Sequence, residues 1–395
     1  MLLSLAWIFL LGLALGGLMQ KLGLPSLLGM LLTGILLAQL GAIDASLLDI
    51  SASLREIALV IILLRAGLNL SVQDLKRAGR PAVLLCFLPA VCEIGGILLL
   101  APPLLGCTRL EAAILGSTLA AVSPAVIVPR MLRLMEEGWG KTRAIPQMIM
   151  AGASVDDVFV IVLFTAFTGL AQGGGFSPVQ LARIPTSILL GVAVGIVCGM
   201  SLNQLFRRIH LRDSAKVLIM LSAAFLLVSA EDAFTGPVGF SGLLAVMAMG
   251  ASLQAKYGLV AGRLSSKFGK LWVAAEVLLF VLVGAAVDPA YLLKAGPAML
   301  AVIVGALAVR MLGVALCVAG TRLTRKERLF CAIAYCPKAT VQAAIGPLPL
   351  AMGLACGPMV LTGAVLAILL TAPLGALAID HTYKRLLRRD EGFVA

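Results

Sequence analysis

Charge is scarce in this chain: of 395 residues only 13% are Asp, Glu, Lys or Arg, whereas 61% are hydrophobic. A water-soluble domain needs about twice that charge to cover its surface, so a soluble fold is excluded. Acids are scarcer still, 19 against 31 bases, which makes any acid inside an apolar stretch conspicuous. Histidine occurs twice, at 210 and 381, both expected in solvated loops, and the eight cysteines show no metal-ligand spacing. A basic flank and a small-residue cleavage site are missing around the first apolar segment, so it reads as a retained helix and not as a removable signal. The Gly-x-Gly-Asp signature of intramembrane aspartyl proteases is missing too. No catalytic residue and no cofactor are expected.

What is present in quantity is long apolar runs, each of a length to cross the roughly 30 Å hydrocarbon layer as a helix. Thirteen can be delimited, the shortest being Pro25 to Leu40, Val217 to Ala230 and Val238 to Leu253. The fold class expected is therefore an all-α polytopic membrane protein of about thirteen transmembrane helices. The net charge of +12 suggests nucleic acid only until the bases are placed. With the N-terminus outside, 24 of the 31 Lys and Arg fall in inward loops, four face outward and three lie within spans. Among the inward ones are Lys76 and Arg77, Lys141, the set Lys256, Arg263, Lys267 and Lys270, and Lys384 with Arg385, Arg388 and Arg389. This is the positive-inside pattern, so the partner is the lipid bilayer and nucleic acid is not one. The alternation also favours an odd number of spans and a cytoplasmic C-terminus.

Proline and charge recur seven segments apart. The fifth segment breaks at Ser123-Pro124 and the twelfth at Pro337, both near mid-membrane, and the fourth carries Glu93 where the eleventh carries Arg310. Seven is odd, so the fourth to sixth segments run opposite to the eleventh to thirteenth, an inverted-topology repeat. Proline frees backbone groups that lipid cannot satisfy, so the two breaks must line a polar cavity. The sequence reading makes them two crossing broken helices, with Lys338 offsetting the partial charges of the opposed half-helices. A simple proline kink explains one break; two at equivalent positions favour the crossing.

Seven charges lie within spans: Glu93, Asp156, Asp157, Glu276, Arg65, Arg310 and Lys338. Arg65 and Glu276 sit toward cytoplasmic ends, where snorkelling explains them. Glu93 and Arg310 read as a buried charge pair holding the repeats together. Asp156 and Asp157, in the sixth segment Ala144 to Leu170, diverge by about 100° on a helix. One of them is expected to face the cavity as the main cation ligand and the other to lean toward Lys338 or Arg310. A proton and a metal ion then compete for one site. Sodium or lithium is hard and takes oxygen ligands, so Ser123, Pro124, Thr340 and Ser154 are the supporting positions, by hydroxyl or freed backbone oxygen. Helix-to-helix hydrogen bonding is about as good a reading of each hydroxyl alone.

Three motifs carry a family resemblance: Ser-Val-Asp-Asp-Val at 154 to 158, Val-Ser-Pro-Ala-Val-Ile-Val-Pro at 122 to 129, and Pro-Lys-Ala-Thr-Val-Gln-Ala-Ala-Ile-Gly at 337 to 346. They resemble the monovalent cation:proton antiporter superfamily, in particular its NHA-type sodium/proton exchangers, over essentially the whole chain. The resemblance implies a thirteen-helix homodimer without cofactor that exchanges Na+ or Li+ for H+. Asp157 would be the principal ion-binding acid, Asp156 its partner, and Glu93 with Arg310 the buried pair. Residues 1–80 and 217–290 would form the dimerisation domain, 81–170 and 291–380 the ion-transporting core, 171–216 the linker helix and 381–395 a short basic cytoplasmic tail. Two-aspartate relatives carry lysine where Arg310 stands, and arginine cannot release a proton. The alternatives are a potassium/proton antiporter, and behind it a sodium-coupled organic-anion symporter, whose anionic substrate the paired acids would repel. A bacterial inner membrane is the expected location.

Overall fold

The computed structural model describes residues 1–70, 72–140, 142–172, 178–233 and 240–389; the side chains of 72–78, 154, 178–185, 232, 233, 289 and 291–295 are outside that description. Lys141 thus lies outside the described residues, as do the side chains of Lys76, Arg77 and Ser154. Among the described residues all regular structure is helical. In chain order the helices are α1 (Leu2–Lys21), α2 (Ser26–Gln39), α3 (Ala45–Asp49), α4 (Ser51–Asn69), α5 (Val72–Leu85), α6 (Leu88–Leu105), α7 (Arg109–Leu119), α8 (Pro124–Glu136) and α9 (Ile145–Gln172). There follow α10 (Pro178–Arg208), α11 (Asp213–Ala233), α12 (Gly242–Lys256), α13 (Gly258–Ala285), α14 (Pro289–Cys317), α15 (Arg325–Ala334), α16 (Thr340–Ile345), α17 (Leu348–Ala351) and α18 (Gly357–Leu386).

Among the described residues nine helical stretches, with α7 and α8 counted as one over Arg109–Glu136, are long and apolar enough to cross a membrane, and α2 is a shorter apolar one. The remaining segments read as spans from the sequence are helical as well. They fall short because α12 has 15 residues, α4 carries Arg55, Glu56 and Arg65, and α15 and α16 are two pieces of one segment. Large apolar side chains stand open on the outer faces, Leu99 at 77% and Leu226 at 73%, as lipid contact requires. Several helices outrun their apolar stretches. Arg263, Lys267 and Lys270, assigned above to a loop, lie on α13, and Lys384, Arg385 and His381 lie on α18. Hydropathy ends where charge begins, whereas the backbone hydrogen-bond ladder continues into the interfacial region.

The chain divides into two compact units. One comprises Met1–Ile50, Gln73–Val160 and Leu279–Ala395; the other comprises Ser51–Val72 and Ile161–Leu278. In the second, α12 packs between α4 and α10 and also meets α11. In the first, α1 pairs with α2, α6 with α14 and α7, and α18 with α14, α15 and α7. The α6–α14 contact depends on a missing side chain: a β-carbon on Gly96 would lie 3.2 Å from Ala306 Cα, tighter than ordinary packing. That approach brings Glu93 and Arg310, one turn away on each helix, into the same buried layer.

Candidate ion site

The site lies wholly within the first unit and begins with two interrupted helices. Helix α7 opens on a capping box in which the Thr108 hydroxyl accepts from the Glu111 amide and the Glu111 carboxylate accepts from the Thr108 amide. It stops at Leu119, because five residues on stands Pro124, the first residue of α8, whose ring excludes the carbonyl four residues before it from a helical turn. Helix α15 opens on the same device, Thr324 with Glu327, and stops at Ala334 ahead of Pro337. The extended residues of the two breaks meet, the Ser123 amide donating to the Pro337 carbonyl at 2.8 Å.

Several free backbone groups at the breaks find partners from other elements. The Leu119 carbonyl accepts from Lys338 Nζ at 2.6 Å, the Ala120 carbonyl from Arg310 Nη1, and the Ala121 carbonyl from Gln342 Nε2 at 2.8 Å. Across the gap, Arg310 Nε donates to the Tyr335 carbonyl at 2.8 Å, and the Lys338 amide donates to the Thr371 hydroxyl at 3.0 Å. The Val122 amide donates to Asp156 Oδ2 at 2.8 Å. Two cations thus sit at the carbonyl end of α7, where the helix dipole favours positive charge.

The charges form one cluster. Arg310 Nη1 is 2.9 Å from Glu93 Oε2 and its Nη2 is 3.2 Å from Asp156 Oδ2. Lys338 Nζ lies 2.7 Å from the Glu93 carboxylate. All four side chains are essentially sealed from solvent. The expected Glu93–Arg310 pair is present, and Glu93 also holds Lys338, whose ammonium therefore serves both the helix break and the pair. Asp156 is the acid turned toward Arg310.

Asp157 differs. Its side chain is 9% exposed against 0% for Asp156, and its Oδ1 meets no hydrogen-bond partner among the described residues. Among the other buried oxygens that share that condition, three belong to residues of the breaks and the charge cluster: Asp156 Oδ1, Ser123 Oγ and Gln342 Oε1. Ser123 occupies the N-cap position of α8 without capping it, which leaves its hydroxyl unused. Thr340 is buried at the first position of α16. Buried polar atoms are nearly always paired, so a set of unpaired oxygens around two break points marks room for a cation or water. Among the described residues no three His, Cys, Asp or Glu side chains gather as a metal cage, so neutral oxygens would have to complete any cation shell here.

Sequence reasoning passed over Gln342, Thr371 and Tyr335. Tyr335 is fully buried, its ring 5.7 Å from the Arg310 guanidinium carbon and its hydroxyl 3.4 Å from the Ile149 carbonyl on α9. Gly152 leaves the space for that hydroxyl, one turn before Asp156; a β-carbon there would collide with it. Uncharged polar residues are ordinary in membrane helices, so none of the three stood out; the one available signal was that Gln342 lies within the motif following Pro337.

An all-helical membrane protein with paired buried carboxylates beside two meeting helix breaks belongs to the ion-coupled transporters. The family described as "Sodium/hydrogen exchanger, transmembrane" matches residues 6–384, and the chain belongs to it, among the monovalent cation:proton antiporters. Sodium/hydrogen exchanger 9B2 of Homo sapiens is 35% identical over 383 residues, covering 93% of this chain and 71% of that protein. Sodium/hydrogen exchanger 9B1 of Homo sapiens is 33% identical over 382 residues, 93% and 73% of the two chains. In fold the chain is similar to the sodium proton antiporter MjNhaP1 from Methanocaldococcus jannaschii at pH 8, with a TM-score of 0.83, 22% identity and 97% of each chain covered.

Proposed function

We propose that the protein exchanges sodium or lithium for protons by alternating access, and that ion and proton compete for Asp157. The observation that carries this reading is the contrast between neighbours: Asp156 is engaged by Arg310 and the Val122 amide, while Asp157 Oδ1 is buried without a partner among the described residues. Ion-paired as their contacts require, Glu93 and Asp156 balance Arg310 and Lys338, two charges against two. Asp157 is the surplus. A bare carboxylate in the membrane interior is costly, so the site crosses loaded with either H+ or Na+ and poorly when empty. Asp156, Ser123, Thr340, Ser154 and the backbone around Pro124 would complete the cation shell with Asp157.

In this reading α6 to α9 and α14 to α18 are inverted repeats, and α7/α8 and α15/α16 are crossing broken helices. The matching Thr-x-x-Glu boxes at 108 and 324 support the correspondence. Thirteen spans, an external N-terminus, a bacterial inner membrane, a homodimer and the division of residues 1–80 and 217–290 from a moving core belong to the same proposal.

The test loads purified protein into liposomes with a trapped pH dye, imposes a proton gradient, and adds sodium, lithium or potassium in turn. Sodium and lithium should dissipate the gradient. Dissipation by potassium alone would favour the potassium/proton antiporter instead.

A further inference from the structure

Gln342 stands on α16 with its amide fully buried. Its Nε2 donates to the Ala121 carbonyl at 2.8 Å and to the Leu119 carbonyl at 3.2 Å. Two carbonyl acceptors demand the NH2 edge, so chemistry fixes which way the amide faces. Leu119 is also held by Lys338; among the described residues Ala121 is held by Gln342 alone.

The Ala121 carbonyl and the Val122 amide are the two ends of a single peptide group. One end receives Gln342 and the other donates to Asp156 Oδ2 at 2.8 Å. A trans peptide is planar with its N–H and C=O pointing oppositely, so Gln342 and Asp156 hold this one plate from opposite edges. Donation into the carbonyl polarises the amide and strengthens its N–H toward the carboxylate. The next residue along is Ser123, whose unpaired hydroxyl faces no cap, so the orientation of the plate also sets where that oxygen stands.

We propose that Gln342 is a positioning residue of the ion site. It locks the Ala121–Val122 peptide in the orientation that presents its N–H to Asp156, and it sets cation affinity through that peptide without touching the ion. This rests on the reading of the aspartate pair as the ion site. With the donor removed, the Ala121 carbonyl is buried and unpaired, the peptide turns to seek another partner, and Asp156 and Ser123 lose their places together.

The test compares sodium titrations at one fixed pH in liposomes holding wild-type protein, Gln342→Met, Gln342→Asn, Gln342→Glu or Asp157→Asn. Gln342→Met keeps the length and removes the donor; the half-saturating sodium concentration should rise about tenfold, the scale of one buried hydrogen bond, with the maximal rate within about threefold. Gln342→Asn keeps the amide on a shorter arm and should shift the same way by less. Sodium-dependent thermal stabilisation in detergent should weaken in the same order, a readout free of transport. Wild-type half-saturation in the recovered Met or Asn variant, with only the maximal rate lowered, overturns the positioning role. A Gln342→Glu protein that binds sodium more tightly than wild type overturns it too, because Oε1 would then be a direct ligand. Undiminished exchange by Asp157→Asn sinks the ion-site reading itself, whatever the Gln342 variants do.

Discussion

Asp156 and Asp157 share a backbone environment and differ in what faces them. The predictions divide accordingly. Asp157→Asn keeps the size and removes the charge, so exchange driven by sodium or lithium should fall to the level of empty liposomes while the protein stays folded, checked by the liposome assay beside a detergent melting curve. Arg310→Ala takes one donor from each of Glu93, Asp156 and two backbone carbonyls, and stripping one partner from a buried ion network costs about 3–5 kcal/mol. Its melting temperature should drop at least as clearly as its turnover; a fully stable, inactive Arg310→Ala protein would place that residue in the transport step itself. The charged members of the site were legible in the sequence because charge is costly in lipid and each one announces itself. That Lys338 is shared between the break and Glu93 was not legible, because periodicity places residues on helices and says nothing of which of several cations an acid will choose. Gln342 and Thr371 were hidden for a related reason, as their significance comes from backbone groups freed elsewhere.

The unit of interest at the level of elements is the half-helix. α8 has its first residue at the site and its far end clasped by α18, where Asp380 takes Arg130 at 3.1 Å and Arg133 at 2.8 Å, and Tyr383 packs edge-on against Trp139 at 5.4 Å between centroids. Asp380→Ala should lower stability by about 1 kcal/mol, the usual scale for a half-exposed ion network, measured by the shift in melting temperature. The two capping boxes should respond unequally. Glu327 is buried and adds an Arg143 contact at 2.5 Å to its cap, whereas the Glu111 box is exposed. Glu327→Gln should therefore destabilise more than Glu111→Gln; equal losses would mean that the Arg143 contact contributes nothing. The proline breaks could be read from the sequence to within a few residues. The helix ends at the interface could not, because α13 and α18 continue through lysine and arginine that a hydropathy profile reads as loop.

For the whole molecule the distribution of charge is the governing fact: a sparsely charged chain keeps five ionisable groups in one sealed layer, four of them mutually compensated. Arg310 cannot give up its proton, so in the proposed exchange the balance changes through the occupant of Asp157. Under the proposed exchange at Asp157 one sodium would replace one proton, and the rate should not respond to an imposed membrane potential; a steep response would require a second titrating group, for which Lys338 is the candidate. The most direct measurement is equilibrium sodium binding to the purified protein across a series of pH values. Competition for one carboxylate predicts that apparent affinity falls with acidification, approaching about tenfold per pH unit once the site is mostly protonated, and that the loss disappears at saturating sodium. Sodium binding of unchanged affinity from alkaline to acid pH would contradict it.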